Sequence, residues 1–116
     1  MKENVVVTKS FDLAIRVVNL YKYLVETKKE YVMSKQILKS GTSIGANIRE
    51  SQSAESKSDF IHKLSISLKE VRETSYWMEL LYRTDFISIE EFESIDKDIT
   101  ELKKIISSII LTTRQK

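Results

Sequence analysis

Residues 41–51 read GTSIGANIRES, and the two readings this stretch allows lead to different folds. Its Gly-x-Ser-x-Gly spacing is that of the nucleophile elbow in α/β-hydrolases, where the serine stands on a sharp strand-to-helix turn. The same residues also continue a helical pattern in which Ile37, Gly41, Ile44 and Ile48 recur at steps of three and four, following Ser34 as N-cap. An elbow needs a preceding strand, a base within hydrogen-bond reach and an acid that orients the base. The only histidine, His62, belongs to a different helical segment, beside Lys63. The helical reading therefore stands, and Ser43 is not expected to be a nucleophile.

Composition points the same way. The 116 residues suffice for one domain with one core. They include no proline and only two glycines, Gly41 and Gly45, which leaves few turn residues for hairpins and nothing to interrupt long helices. Cysteine is absent, so disulfides and thiolate metal sites are excluded and a reducing cytoplasm is the expected setting. A single histidine cannot furnish the paired Glu-x-x-His motifs of a di-iron bundle, so neither metal nor other cofactor is expected. The apolar run in MKENVVVTKS (1–10) is too short for a signal-peptide core. That in KKIISSIILTT (103–113) is about half the length a membrane span requires, so a membrane is not among the expected partners. The formal charge of +2 is too balanced to announce a nucleic-acid binder. Residues 1–84 nevertheless carry a net +4 and residues 85–116 a net −2, the latter sorted as a helix dipole favours.

Four helical segments follow from periodicity. The first, over 10–29, carries Phe11, Ala14, Ile15, Val18, Tyr21 and Val25 on one face; the second spans 34–54. Ser56 with Asp59 opens a third over 57–84, with Phe60, Ile61, Leu64, Leu68, Val71, Met78 and Tyr82 facing inward. Ser88 and Glu91 form a capping box for the fourth, 89–114, whose Phe92, Ile95, Ile99, Leu102, Ile106 and Ile109 make a left-handed bundle seam. With short connections the economical architecture is an all-α antiparallel up-down four-helix bundle, a single domain over 1–116.

Helix one has more apolar surface than one bundle uses. Leu13, Val17, Leu20 and Leu24 form a second stripe beside the first, and this second stripe is expected to meet another subunit. Trp77, about 100° around its helix from Met78, points the same way. Gly41 and Gly45 strip bulk from helix two at a cost of about 2 kcal/mol relative to alanine, so a neighbour must approach closely there. Asn47 and Glu50, one turn apart on the flank, are either solvated or paired with buried partners.

The residues SIGANIRES (43–51) resemble the Ser-Ile-x-x-Asn-Ile-x-Glu-Gly signature of four-helix-bundle proteins encoded in intervening sequences of bacterial 23S rRNA genes. MSKQI (33–37) is similar to the family's Leu-Thr-x-Gln element, KSDFIHKL (57–64) to its Lys-x-Phe element and SLKE (67–70) to its Ser-Leu-x-Glu element. Ser43, Ile44, Asn47, Ile48, Glu50, Ser67 and Glu70 thus match the family pattern. Ser51 stands where glycine is usual, and Ser65 where alanine and glycine are common. The resemblance implies a homo-oligomeric, pentameric helical bundle and little chemistry. A related branch, the accessory proteins of diversity-generating retroelements, consists of basic bundles that work with a reverse transcriptase and nucleic acid.

Two functional expectations follow, neither enzymatic. One is a scaffold associated with RNA or DNA, whose local support is the acid-free outward stripe Lys35, Lys39 and Arg49 on helix two. Lys57, Lys63 and Arg72 form the next basic cluster. The other is a protein-interaction module or accessory subunit of a neighbouring enzyme, anchored by Trp77 or the helix-one stripe.

Overall fold

The computed structural model describes residues 4–116. Four helices, α1 (Val5–Glu26), α2 (Met33–Ser51), α3 (Lys57–Arg83) and α4 (Ile89–Arg114), run up and down in chain order, and no strand occurs among the described residues. Each helix packs on the next, and α1 closes against α4 through the lightest contact. The bundle measures 47 × 25 × 21 Å. Long side chains bridge the thin α1–α4 seam: Lys9 pairs with Glu101 at 3.0 Å, and Arg16 reaches Asp98 at 2.7 Å and the Ser94 hydroxyl at 2.8 Å.

Capping explains where the helices begin. At α3 the Ser56 hydroxyl accepts the Asp59 N–H, and at α4 Ser88 and Glu91 complete the reciprocal capping box. The start of α1 lies five residues earlier than periodicity gives. The side chain of Asn4 caps it, so the β-branched run Val5–Val7 is helical and Val6 is buried. Ser34 is not the N-cap of α2. That helix starts at Met33, and the carboxylate of Glu30 accepts the N–H groups of Val32, Met33 and Ser34 at 3.1, 3.0 and 2.7 Å. Lys29, at φ 55°, reverses the chain between α1 and α2.

The core corrects one central expectation. Leu13, Val17, Leu20 and Leu24 are no more than 6% exposed; they are the contribution of α1 to the chain's own core, beside Ile37, Ile44, Leu64, Met78, Ile99 and Ile106. They are therefore not a free interface, and Leu20→Glu would place a charge inside the subunit rather than break a contact between subunits. The stripe left outside is the other one: Phe11 and Ile15 are 48% and 47% exposed. Crossing geometry supplies the reason. A Cβ on Gly41 would lie 2.8 Å from both methyl carbons of Val17, and one on Gly45 would lie 3.3 Å from the Ser10 hydroxyl. The compact Ser10–Val17 edge of α1 fits against that bare patch of α2, whereas Phe11 and Ile15 are too bulky to do so.

The rest of the core follows the periodicity closely. Leu64, Val71 and Met78 of α3 and Ile95, Ile99, Leu102 and Ile106 of α4 are buried. Ile110 takes the innermost place expected of Ile109, which is half-buried. Phe92 and Tyr82, both half-buried, stack at 4.9 Å.

The branched side chain of Val17 cannot swing aside, so Gly41→Ala is expected to lower stability by about 1 to 3 kcal/mol. Helix propensity alone predicts a gain of about 1 kcal/mol. Gly45→Ala, whose added Cβ would lie 3.3 Å from the Ser10 hydroxyl and 3.4 Å from its carbonyl oxygen, a looser approach than the 2.8 Å at Gly41, is expected to cost less than Gly41→Ala. Urea denaturation of the two variants checks both the sign and the order.

Candidate functional site

The elbow reading of residues 41–45 fails on geometry. Both glycines lie within α2, and the Ser43 hydroxyl donates 2.6 Å to the Lys39 carbonyl of its own helix. His62 is exposed on α3 and makes no hydrogen bond to Ser43. No group of three His, Cys, Asp or Glu side chains among the described residues is placed to hold a metal.

Most of the signature residues form a clasp between α2 and α3. Ile44 and Ile48 are core. Asn47 donates 2.9 Å to the Ser43 carbonyl, and Glu50 pairs with Lys63 of α3 at 3.1 Å. The buried Ser67 hydroxyl donates 2.9 Å to the Ile44 carbonyl across the interface. Periodicity did not single out the matching pair farther along the seam: Thr74 donates 2.9 Å to the Ser40 hydroxyl, both side chains buried. Its trace in the sequence was two small polar residues in otherwise apolar faces. Glu70, partly buried on the same flank, has its carboxyl held above the ordinary carboxylate range. Burial is the main cause and Glu73 adds to it, with Lys69 and Lys39 opposing.

A second surface lies on the α1 side of α2. Phe11, Ala14, Ile15, Val18 and Asn19 form one wall and Thr42, Gly45, Ala46 and Arg49 the other, around a groove of about 460 Å³. The small residues of α2 make the hollow, and the exposed Phe11 and Ile15 of α1 stand beside it. The Arg49 guanidinium lies 4.7 Å over the Phe11 ring centroid, a cation–π contact that draws it across the groove mouth. Lys35, Lys39 and Arg49 are all exposed, yet only the two lysines remain without such a contact, and neither makes an ion pair among the described residues. Of the second basic cluster, Lys63 is engaged by Glu50, while Lys57 and Arg72 are exposed. Trp77 is half-buried against the core and meets Tyr76 edge to face at 5.0 Å, its indole N–H enclosed without an acceptor among the described residues.

The sequence profile of the family described as 23S rRNA-intervening sequence protein matches residues 2–108. The chain belongs to that family. A crystal structure of a protein of unknown function from the S23 ribosomal protein family of Bacteroides thetaiotaomicron VPI-5482 is similar to it at 61% sequence identity and a TM-score of 0.90, over 90% of this chain and 97% of that one. No curated protein matches the chain. No helix among the described residues is long and apolar enough to cross a membrane. In this intervening-sequence family member the signature residues Ser43, Asn47, Glu50 and Ser67 are all engaged in helix or interhelix bonds, and of the polar signature residues Glu70 alone has no side-chain hydrogen bond among the described residues.

A carboxyl whose pKa is raised on folding adds most to stability when protonated, and that contribution is lost as pH rises through the folded-state value. Glu70→Gln is therefore expected to be more stable than the wild type near about pH 7, the difference shrinking toward about pH 3, below the ordinary carboxylate range, where both side chains are neutral. Chemical denaturation at the two pH values measures this. An equal difference at both would remove the ionised carboxylate as the cause.

Proposed function

We propose that the protein is a non-enzymatic scaffold in which identical bundles associate through the α1–α2 groove and present the cationic face of α2 to RNA or DNA. The observation that carries this reading is the apolar stripe of α1 left outside a bundle whose core is already complete: Phe11 and Ile15 flank a hollow made by Thr42, Gly45 and Ala46. An exposed apolar patch of this kind, rimmed by an arginine, has the composition of an interface centre. A second copy is the occupant that fits the pentameric assembly implied by the family resemblance. Among the described residues the groove's polar lining is Asn19, Thr42 and Arg49, a lining that suits packing and contact. Lys35 and Lys39, exposed and without ion pairs among the described residues, support phosphate contact, which in a closed assembly recurs once per subunit.

Light scattering tests the assembly. The wild type is expected well above the 13.5 kDa of one chain at micromolar concentration. Ile15→Glu should fall to that mass with its helical circular dichroism intact, because the side chain is half outside its own subunit and becomes a buried charge only between subunits. A monomeric wild type, or an Ile15→Glu variant that stays assembled, contradicts the proposal.

A further inference from the structure

The turn joining α1 to α2 has an arrangement of charge that follows from how α2 is capped. Residues 27–49 contain five cations, Lys28, Lys29, Lys35, Lys39 and Arg49, and a single acid, Glu30. That acid is 9% exposed, its carboxylate turned inward onto the N–H groups of Val32, Met33 and Ser34. Capping thus removes the only negative charge of the segment from the surface and leaves its lysines outside. Lys28, Lys29 and Lys35 are exposed and make no ion pair among the described residues. Among them stands Tyr31, 52% exposed, followed by Val32, 71% exposed. The turn is held in one conformation by the Glu30 N–H, which donates 2.9 Å to the Leu24 carbonyl, and by Lys29 in the left-handed region.

We infer that this turn binds unpaired nucleotides of a single-stranded nucleic acid, a base stacking on the Tyr31 ring while Lys28, Lys29 and Lys35 take the flanking phosphates. An exposed aromatic set among unpaired cations supplies the two elements by which proteins hold single strands, a π-face and a charge track. Lys39, one turn beyond Lys35 on the same helix, extends the track along α2. The groups facing the turn from the other pair of helices set its limits. In an up-down bundle the start of α4 lies at the same end, and its exposed Glu90, Glu91 and Glu93 repel phosphate there. The site therefore takes a narrow strand running along α2 rather than a duplex lying across the end of the bundle. The inference rests on the nucleic-acid component of the proposed function and locates it.

The test is binding of the full chain to a short unstructured RNA, a DNA of the same sequence and the corresponding RNA duplex, each followed over a range of salt. Tyr31→Ala is expected to weaken both single strands by roughly five- to one-hundred-fold and the duplex little, while Tyr31→Phe, which keeps the ring, binds as the wild type does. Lys28, Lys29 and Lys35 replaced together by glutamine should flatten the slope of log affinity on log salt for single strands by about two. A preference for RNA over DNA would assign a role to the 2′-hydroxyl, and equal affinity would assign the site to base and phosphate alone; either supports it. Wild-type binding left unchanged by Tyr31→Ala overturns the turn site and leaves the scaffold reading standing. No affinity of the wild type for any of the three at low salt removes both the site and the nucleic-acid component of the proposal.

Discussion

The contact on which the rest of the bundle depends is the close crossing of α1 over α2, with Val17 seated on Gly41 and Ser10 on Gly45. Two glycines inside a helix cost about 2 kcal/mol of helix propensity, and dispersion contacts made possible by the missing side chains offset it. The crossing also sets the rotation of α1. With its Ser10–Val17 edge pressed to α2, the leucines at 13, 20 and 24 turn into the core, and Phe11 and Ile15 necessarily turn outward. The groove is thus a consequence of the packing that stabilises the subunit. A hollow lined by Thr42, Gly45 and Ala46 exists because the same small residues that admit Val17 and Ser10 leave little bulk on their outer side.

The other side of α2 is built on a different principle. Against α3 it uses hydroxyls and one ion pair: Ser67 to the Ile44 carbonyl, Thr74 to Ser40, Lys63 to Glu50. The individual bonds are worth little net, but each hydroxyl left unpaired in that buried seam would carry a desolvation cost, so they fix the register of α3 on α2. Four of the seven family-signature residues, Ile44, Glu50, Ser67 and Ile48, belong to this seam or the core beneath it. What the family pattern specifies in this chain is therefore chiefly how α2 sits in the bundle, which leaves function to the outer surfaces.

Most of the fold was legible in the residues themselves. The α4 seam, the Ser56 cap and the Ser88 capping box could be placed because side-chain spacing and local hydrogen bonding decide them within a few residues. The choice between the two stripes of α1 was not legible: both have helical period, and only the partner surface on α2 selects one. Nor could spacing show that Glu30 reaches forward to cap α2 in place of Ser34, or that Arg49, on the polar face of α2, bends over Phe11 of another helix. Those depend on contacts between segments. The charge pattern of the α1–α2 turn was hidden for the same reason, since Glu30 reads in the sequence as a neutralising neighbour of Lys28 and Lys29 until its carboxylate is seen to face inward.

In the proposed assembly α1 turns its Leu13 stripe into its own subunit and its Phe11–Ile15 stripe toward another. Because the chain has no cysteine, a single thiol placed at either stripe reports this division. The measurement is the rate of thiol labelling of Ile15→Cys and Leu13→Cys as a function of protein concentration. Labelling at position 13 is expected to be slow at every concentration, and labelling at position 15 to be fast in dilute solution and to slow as the assembly forms. A rate at position 15 that does not change with concentration, or fast labelling at position 13, would contradict this division of the two stripes.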